Sequence, residues 1–303
     1  MYRALLVAVL TIGLLSLSWA GDLKGHVSRA GVDVVGAQVT VNPGAHVRLS
    51  GPGGVVVFPG LAAGNYRVTA EKTILAQLNG AVLDVVAVPA AGGVSVELKL
   101  TPAVHVNEYM PLRLGNMWQY REVIETPPRV VTTRTRREDV VGTTPIGGTM
   151  TSVVLVTYLP GPDTFRMYMH SSGLGFGVYG ETRDAETLTY VPPLLIPSLC
   201  PQGHTTIVKG VVKHSGGAPD DPMKMLATFG AFEDVTVPAG VFTKCIRLDL
   251  TLESAAVVSK LTMWMAKGVG QVRVMESKPG KTVRRSLAAY RLAPIVVHPL
   301  PAP

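Results

Sequence analysis

The sequence predicts an all-β protein, in which a small seven-stranded β-sandwich precedes a larger, curved antiparallel β domain. Glycine and proline are abundant, with 32 and 23 residues, which is typical of a chain with many turns. Short runs alternate apolar and polar side chains, and Val94, Val96, Leu98 and Leu100 show this most clearly. Such alternation indicates a strand with one buried face. No stretch after the first twenty residues keeps the helical period of about 3.6 residues.

The N-terminal segment has the pattern of a secretory signal. Arg3 precedes an apolar run over residues 4–17, and Ser18-Trp19-Ala20 places small residues where a signal peptidase reads them. We therefore expect a signal peptide over residues 1–20, with cleavage after Ala20. The alternative is an uncleaved anchor helix, although the run is short of the ~20 residues that span a bilayer. The segment predicts an extracytoplasmic location: the periplasm, the cell surface or the secreted milieu.

The first predicted domain covers residues 22–102. Its strand-like runs are short and are separated by turn residues, among them Pro59-Gly60 and Gly64-Asn65. The runs lie at residues 23–27, 34–41, 47–49, 55–58, from 66 onward, 82–88 and 94–100. About seven strands in about 80 residues fit two stacked sheets.

The same residues carry a resemblance to a known family. The order of glycines and apolar residues resembles the carboxypeptidase regulatory-like domain, of the wider group of transthyretin-like and starch-binding-like sandwiches. The positions that carry it are Gly25, Val27, Gly36-Ala37, Gly54, Phe58, Gly60-Leu61, Gly64, Tyr66, Val68 and Ala70. The chain departs from many members at Gly51-Pro52-Gly53, where they carry Thr-Asp or Asn. The resemblance implies a sandwich fold and, through its starch-binding-like relatives, carbohydrate binding.

A linker over residues 103–108 is predicted to lead into a second β domain over residues 109–293. Three blocks, at residues 109–121, 233–248 and 264–272, resemble a family of uncharacterised bacterial exported proteins. That family is distantly similar to the open, curved sheets of periplasmic lipoprotein carriers. Residues 294–303 contain four prolines and are predicted to form an extended tail.

The residue patterns that usually mark catalysis or metal binding are weak. His105 and Glu108 have the spacing of a zinc pair, but they fall in the predicted linker and no peptidase domain accompanies them. Gly175, Gly177 and Gly180 match a dinucleotide fingerprint, but in a β-rich region they indicate a glycine-rich strand. We therefore predict no catalytic residue, no metal and no cofactor, and a protein that is not an enzyme.

The two cysteines and the basic residues allow more than one interpretation. Cys200 and Cys245 are a candidate disulfide in an exported chain, and two buried thiols are the alternative. The formal charge is +7, with one cluster of basic residues over 134–137. Glu138-Asp139 follows directly, which favours a solvated strand or loop over a polyanion site. No nucleic-acid partner and no transmembrane span after signal removal are expected.

The aromatic residues of the second domain supply the candidate ligand contacts. Trp118, Tyr120 and Trp264 lie in the blocks described above and suit core packing as well as ligand binding. The leading hypothesis is a non-enzymatic binding or structural protein of the cell envelope or secreted milieu, with an envelope protein as partner. The alternatives are glycan binding by the sandwich, and carriage of lipid or another apolar ligand by the second domain.

Overall fold

A computed structural model describes residues 20–128, 130–161, 163–255 and 257–294. Their structure is built almost entirely of strands, which confirms the predicted all-β class. In these ranges no helix has the length and apolar character needed to cross a membrane. The predicted signal peptide and proline-rich tail lie outside the described residues, apart from Ala20, which begins the first strand, and Pro294.

Within the described ranges the chain forms twenty-two strands and two short 3₁₀ helices, at Pro52–Gly54 and Val106–Tyr109. The strands are β1 (Ala20–Arg29), β2 (Val32–Asp33), β3 (Gln38–Asn42), β4 (His46–Leu49), β5 (Val55–Ala62), β6 (Gly64–Ile74), β7 (Gln77–Val88), β8 (Gly93–Lys99), β9 (Thr101–His105), β10 (Met117–Thr126), β11 (Val130–Ile146), β12 (Thr149–Leu159), β13 (Thr164–Ser172), β14 (Gly175–Arg183), β15 (Glu186–Pro197), β16 (Leu199–Pro201), β17 (Thr205–His214), β18 (Asp221–Val237), β19 (Gly240–Ser254), β20 (Val258–Ala266), β21 (Gly270–Lys278) and β22 (Lys281–Arg291).

The predicted architecture, a seven-stranded sandwich followed by a curved domain, is wrong. Strands β10–β15 and β17–β22 form a closed antiparallel barrel of twelve strands. Each strand pairs with its neighbours in this order, and β22 pairs back onto β10. Closure was not visible in the sequence because it depends on pairing between the first and last barrel strands, where Gln119 lies opposite Ala289. The region predicted to hold seven strands contains eight, β1–β8, and β9 runs from its last two residues into the predicted linker.

The chain divides into two compact units. The first comprises the described residues up to Val68 together with Leu83–Leu98, and the second comprises Thr69–Val82 and the chain from Lys99 onward. In the first unit, β1 pairs with β2, β5 and β8, while β3 pairs with β4. The hairpin of β6 and β7 contributes residues to both units.

Strand β5 continues through a proline and a glycine that were predicted to end it. Val56, Phe58 and Leu61 are buried along the strand, which pairs with β1 as far as Ala62. The register shifts opposite this point, and Gly60 has a φ of 70°, a conformation open to glycine at little cost. A β-bulge therefore accommodates Pro59-Gly60 within β5. The spacing of buried residues changes at the bulge, but the strand continues.

Strand β14 shows why its glycines are needed. A Cβ atom at Gly175 would collide with the carbonyl oxygen of Ile196, and one at Gly180 would collide with that of Leu188. Both carbonyls belong to β15, the neighbouring strand. The glycines thus permit the close approach of two strands, and the predicted glycine-rich strand is confirmed.

The barrel core includes residues that precede the first barrel strand. Val104, Val106, Tyr109 and Met110 are buried and pack in one cluster with barrel side chains. Residues 103–108, predicted as a linker, lie in β9 and in the Val106–Tyr109 helix. Strand β16, between β15 and β17, leaves the barrel and pairs with β9.

Replacing Leu248 by alanine tests the barrel core. Leu248 is fully buried on β19, so Leu248→Ala should lower the free energy of unfolding by about 2–5 kcal/mol. Val241→Ala on the same strand is the control, because Val241 is 67% exposed and its loss should change stability by less than about 0.5 kcal/mol. Equilibrium urea unfolding, followed by the fluorescence of Trp118 and Trp264, measures both. Equal losses in the two variants would contradict the assigned core.

Candidate functional site: the barrel cavity

A cavity of about 360 Å³ lies inside the barrel. This volume is near the lower end of the range for small-molecule sites, roughly 300–1,000 Å³. Its lining includes many apolar side chains, and we call six of them the apolar wall: Met167, Leu194, Leu250, Leu252, Leu261 and Met263. These side chains come from β13, β15, β19 and β20.

The lining also carries ten charged side chains, six of them basic and four acidic. The basic residues are Arg134, Arg136, Arg183, Lys278, Lys281 and Arg285, and the acidic residues are Glu122, Glu138, Glu181 and Glu276. Six positive and four negative groups leave a formal excess of +2 at the cavity wall. A ligand in this cavity would meet both an apolar surface and a positive potential.

Strand β11 shows how the sequence places charges inside the barrel. Arg134, Arg136 and Glu138 line the cavity, because alternate residues of a strand share one face. Arg137 and Asp139 project from the other face and pair with each other at 2.7 Å (Nε to Oδ2). The cluster interpreted from the sequence as a solvated strand or loop is therefore split, with Arg136 buried and Arg137 exposed.

Glu122 joins three adjacent strands at the point where the barrel closes. It lies directly opposite Arg134 on β11 and Arg285 on β22. The Nε atom of Arg134 donates to Oε1 at 2.6 Å, and that of Arg285 donates to Oε2 at 2.7 Å. Both oxygens of a carboxylate whose side chain is only 1% exposed are thus occupied by arginines.

A second carboxylate extends this network along β21. Glu276 accepts a hydrogen bond from Nη2 of Arg285 at 2.8 Å and lies 2.7 Å from the Nζ atom of Lys278. Burial by itself would raise the pKa of Glu276, but Lys278 and Arg285 outweigh burial and lower it. The pKa of Glu122 is lowered in the same way, since Arg285 and Arg134 outweigh its burial. Both carboxylates are therefore held ionised.

Two aromatic rings hold arginines against the cavity wall. The guanidinium carbon of Arg134 lies 3.6 Å from the ring centre of Tyr158, and that of Arg183 lies 4.4 Å from the ring centre of Phe165. The two rings stack with their centres 6.1 Å apart. Arg136 donates to the Tyr158 hydroxyl at 3.0 Å and to Glu138 at 2.7 Å. The arginines are thus oriented by cation–π contacts as well as by carboxylates.

The two ends of the barrel differ in exposure. We call the end with the β10–β11, β14–β15 and β21–β22 connections (residues 127–128, 184–185 and 279–280) the charged end. The side chains of Arg183 and Lys278 lie beside it and are 58% and 43% exposed, whereas Arg285 is only 14% exposed. At the opposite end the lining residues Met110 and Trp118 are buried, while Pro111 and Leu112 are partly exposed. Solvent therefore reaches the cavity at the charged end.

Two of the three aromatic candidates from the sequence line the cavity. Trp118 donates from Nε1 to the Val269 carbonyl at 2.6 Å, and the Tyr120 hydroxyl donates to the Gln271 carbonyl at 3.2 Å. Trp264 is buried elsewhere in the core, where its Nε1 atom donates to Glu233 at 2.7 Å. The sequence analysis missed the charged lining residues, although their spacing of two along β11 was a usable signal.

The two cysteines are both buried, and both are thiols in the structure. The Sγ atom of Cys200 donates to the Pro197 carbonyl at 2.9 Å, and that of Cys245 donates to the Phe242 carbonyl at 3.4 Å. Burial, reinforced by Asp234, raises the pKa of Cys245 to about 11. This thiol therefore remains protonated at neutral pH.

The zinc-like pair of the sequence has separate partners. His105 lies 3.3 Å from Glu71, and Glu108 lies 2.9 Å from Lys267. Among the residues that the structure describes, no three His, Cys, Asp or Glu side chains are grouped to hold a metal ion.

Fold and site together define a closed antiparallel barrel with an internal cavity whose lining combines apolar side chains with a net basic set of charged side chains. A scan against protein-family models found no match, so the family resemblances given above stay predictions. A search of curated proteins also found no match.

Two solved structures are similar in part. A candidate lipoprotein from Parabacteroides distasonis is 10% identical, with a TM-score of 0.36, over 60% of this chain and 98% of its own. A candidate exported protein with a YmcC-like fold from Bacteroides fragilis is 13% identical, with a TM-score of 0.31, over 61% of this chain and 99% of its own.

Neutralising Glu122 tests the buried network. Glu122→Gln leaves the positive charges of Arg134 and Arg285 without their shared carboxylate and should lower the free energy of unfolding by about 3–5 kcal/mol at neutral pH. Glu125→Gln is the matched control on the same strand, because Glu125 forms a half-exposed pair with Arg284 and should cost less than about 1 kcal/mol.

The difference in unfolding free energy between the wild type and Glu122→Gln should depend on pH. The pKa of Glu122 is lowered in the folded protein, so its contribution is present above the ordinary carboxylate pKa and is lost as the pH falls through the folded value. The stability gap between the wild type and Glu122→Gln should therefore narrow on acidification. Urea unfolding of both proteins at a series of pH values measures this gap. A gap that widens as the pH falls would refute the pairing of ionised Glu122 with Arg134 and Arg285.

Proposed function

We propose that this protein is a non-enzymatic, extracytoplasmic binding protein that holds a small, largely apolar ligand inside its barrel. The observation that carries the proposal is the cavity, which is open at the charged end and has an apolar wall. The extracytoplasmic location rests on the signal pattern of residues 1–20.

The apolar wall favours an apolar occupant. Leu194, Leu252 and Leu261 line the cavity and are only partly buried, so part of their apolar surface faces the cavity. Covering such surface stabilises a complex by about 25 cal/mol for each Å² removed from water. A ligand with a short hydrocarbon chain would gain this energy in a site that the protein has already formed.

The chemistry of the cavity wall favours binding over catalysis. No histidine, cysteine, serine or threonine is found among the described residues that line the cavity. Glu122 and Glu276 are held as ionised, arginine-bonded carboxylates, whereas a general acid at neutral pH needs a raised pKa. The arginines do not exchange protons at ordinary pH.

The carbohydrate alternative has less support from the structure. Phe58 and Tyr66, the aromatic residues of the predicted sandwich that could stack on a sugar ring, are both buried. Neither ring therefore offers an exposed face.

A cavity-filling substitution tests the proposal. Leu252→Trp places a larger ring in the cavity, while Thr251→Trp is the control, because Thr251 is the next residue on β19 and projects from the opposite face. The wild type should enhance the fluorescence of the neutral dye N-phenyl-1-naphthylamine, and 1-decanol should displace the dye. Leu252→Trp should weaken dye binding by about tenfold or more, and Thr251→Trp should leave it unchanged.

Circular dichroism shows whether both tryptophan variants keep the strand content of the wild type. Absence of dye and decanol binding by the wild type would refute the proposal, as would equal binding by the two tryptophan variants. Mass spectrometry of an organic extract of the purified protein identifies any ligand acquired in the producing cell.

A further inference from the structure

We infer that the ligand is a single-chain amphiphile with an anionic head group, carboxylate or phosphate, held beside Arg134, Arg183 and Lys281. This inference rests on the proposed function, since it assigns the ligand class of the same cavity. The head group lies at the charged end, and the hydrocarbon chain extends along the apolar wall towards Trp118.

Partners are distributed unevenly among the charged lining residues. Glu122 and Glu276 use their oxygens on Arg285, Arg134 and Lys278. Their side chains are nearly inaccessible to solvent, so they are committed to these partners. Neither acid is available to neutralise further cations.

Two of the three remaining cations, Arg183 and Lys281, are incompletely neutralised, whereas Arg136 is paired with Glu138 at 2.7 Å. Arg183 reaches Glu181 only at 4.0 Å, which is the limit of an ion pair. Lys281 lines the cavity and has no ion pair with any described residue. Both residues flank connections at the charged end, so the excess of positive charge is concentrated where the cavity meets solvent.

The orientation of Arg134 also favours an anionic head group. Its Nε atom is bonded to Glu122, while its two terminal nitrogens have no hydrogen-bond partner within the described part of the chain. The guanidinium plane is held over the Tyr158 ring at 3.6 Å. A guanidinium fixed in this way presents two donors in the geometry that carboxylate and phosphate oxygens accept.

The apolar wall extends inward from the end of the barrel where these cations lie. Leu252 is near the end of β19, and Leu261 is near the start of β20, so both lie close to the charged end. Deeper in the barrel the lining continues with Met263 and reaches Trp118, where the only charges opposite it are the mutually paired Arg136 and Glu138 among the described lining residues. An amphiphile with its charge at the opening and its chain inside matches this arrangement, and the volume of about 360 Å³ admits only a short chain.

Four probes that share one hydrocarbon chain separate the possibilities: decanoate, decyl phosphate, 1-decanol and decyltrimethylammonium. Isothermal titration calorimetry with the full chain at neutral pH and low salt measures each affinity. We expect at least one of the two anions to bind about tenfold or more tightly than 1-decanol, because a charge-assisted hydrogen bond supplies about that factor. The cation should bind most weakly, and the tighter anion assigns the head group as carboxylate or phosphate.

Two variants locate the head group. Arg183→Gln/Lys281→Gln removes the incompletely neutralised cations and leaves the Glu122 network intact, and Arg134→Gln removes the oriented guanidinium. In each of these two variants, the ratio of the affinity for the tighter anion to the affinity for 1-decanol should fall by about threefold or more. The affinity for 1-decanol itself should not change. Arg284→Gln is the control, because Arg284 lies on β22 outside the cavity lining and pairs with Glu125.

The outcomes separate this inference from the proposed function. If 1-decanol or the cation binds as tightly as both anions, or if the anion preference survives in both variants, the inference is overturned and the apolar site stands. If none of the four probes binds, the proposed function and this inference are both overturned. If Arg284→Gln lowers the anion preference as much as the cavity variants do, the inference is also overturned. The preference for anions would then reflect the net charge of the protein alone.

Discussion

Glu122 is a charged side chain with almost no access to solvent, and its two oxygens are bonded to arginines on the two strands that flank β10. Moving a carboxylate out of water costs several kcal/mol unless charged partners compensate. Arg134 and Arg285 can compensate only when β11 and β22 both pair with β10 in the observed register. A slip of one residue in either strand would turn its arginine to the outside of the barrel. The closure of the barrel and the pairing of this carboxylate are therefore one requirement.

The same network of Glu122, Arg134 and Arg285 helps to explain why the barrel encloses a cavity instead of a filled core. Apolar side chains of similar size would pack against one another and often give equal or greater stability. Arginines held by carboxylates and by the faces of Tyr158 and Phe165 keep fixed positions along the wall. Space thus remains between them and the leucines and methionines of β13, β15, β19 and β20. Paired charged side chains of this kind keep space for a binding site, at the expense of the greater stability that a filled apolar core could give.

Local sequence patterns predicted local structure well. The alternation around Val96 and Leu98 falls within strand β8, and the glycines from Gly175 onward lie in strand β14. The three sequence blocks of the second domain also meet in space, since Trp118 bonds to Val269 and Trp264 bonds to Glu233. These features depend on neighbours in the sequence or on large aromatic side chains that are usually buried.

Features that depend on distant pairing could not be predicted. On β11, Arg136 and Arg137 are adjacent and chemically identical, yet one is buried and the other is exposed. Alternation divides them between two faces, but both faces of this strand carry charges, so polarity does not indicate which face lies inside. The pairing of β10 with β22, which brings Glu122 to Arg285 across 163 positions, completes the buried network on the inner face. The spacing of two along β11 was therefore visible in the sequence, but the distant pairing of Glu122 with Arg285 was not.

This separation along the chain also bears on the order of events in folding. Contacts between β10 and β22 have a high contact order, and such pairings form slowly because the intervening chain must be ordered first. A chain in which β10 and β22 have not yet paired has neither the bond from Arg285 to Glu122 nor the closed cavity. A molecule that fills the cavity thus recognises only the completed fold and would draw the folding equilibrium towards it by mass action. Ligand supply and the yield of folded protein would then be thermodynamically linked.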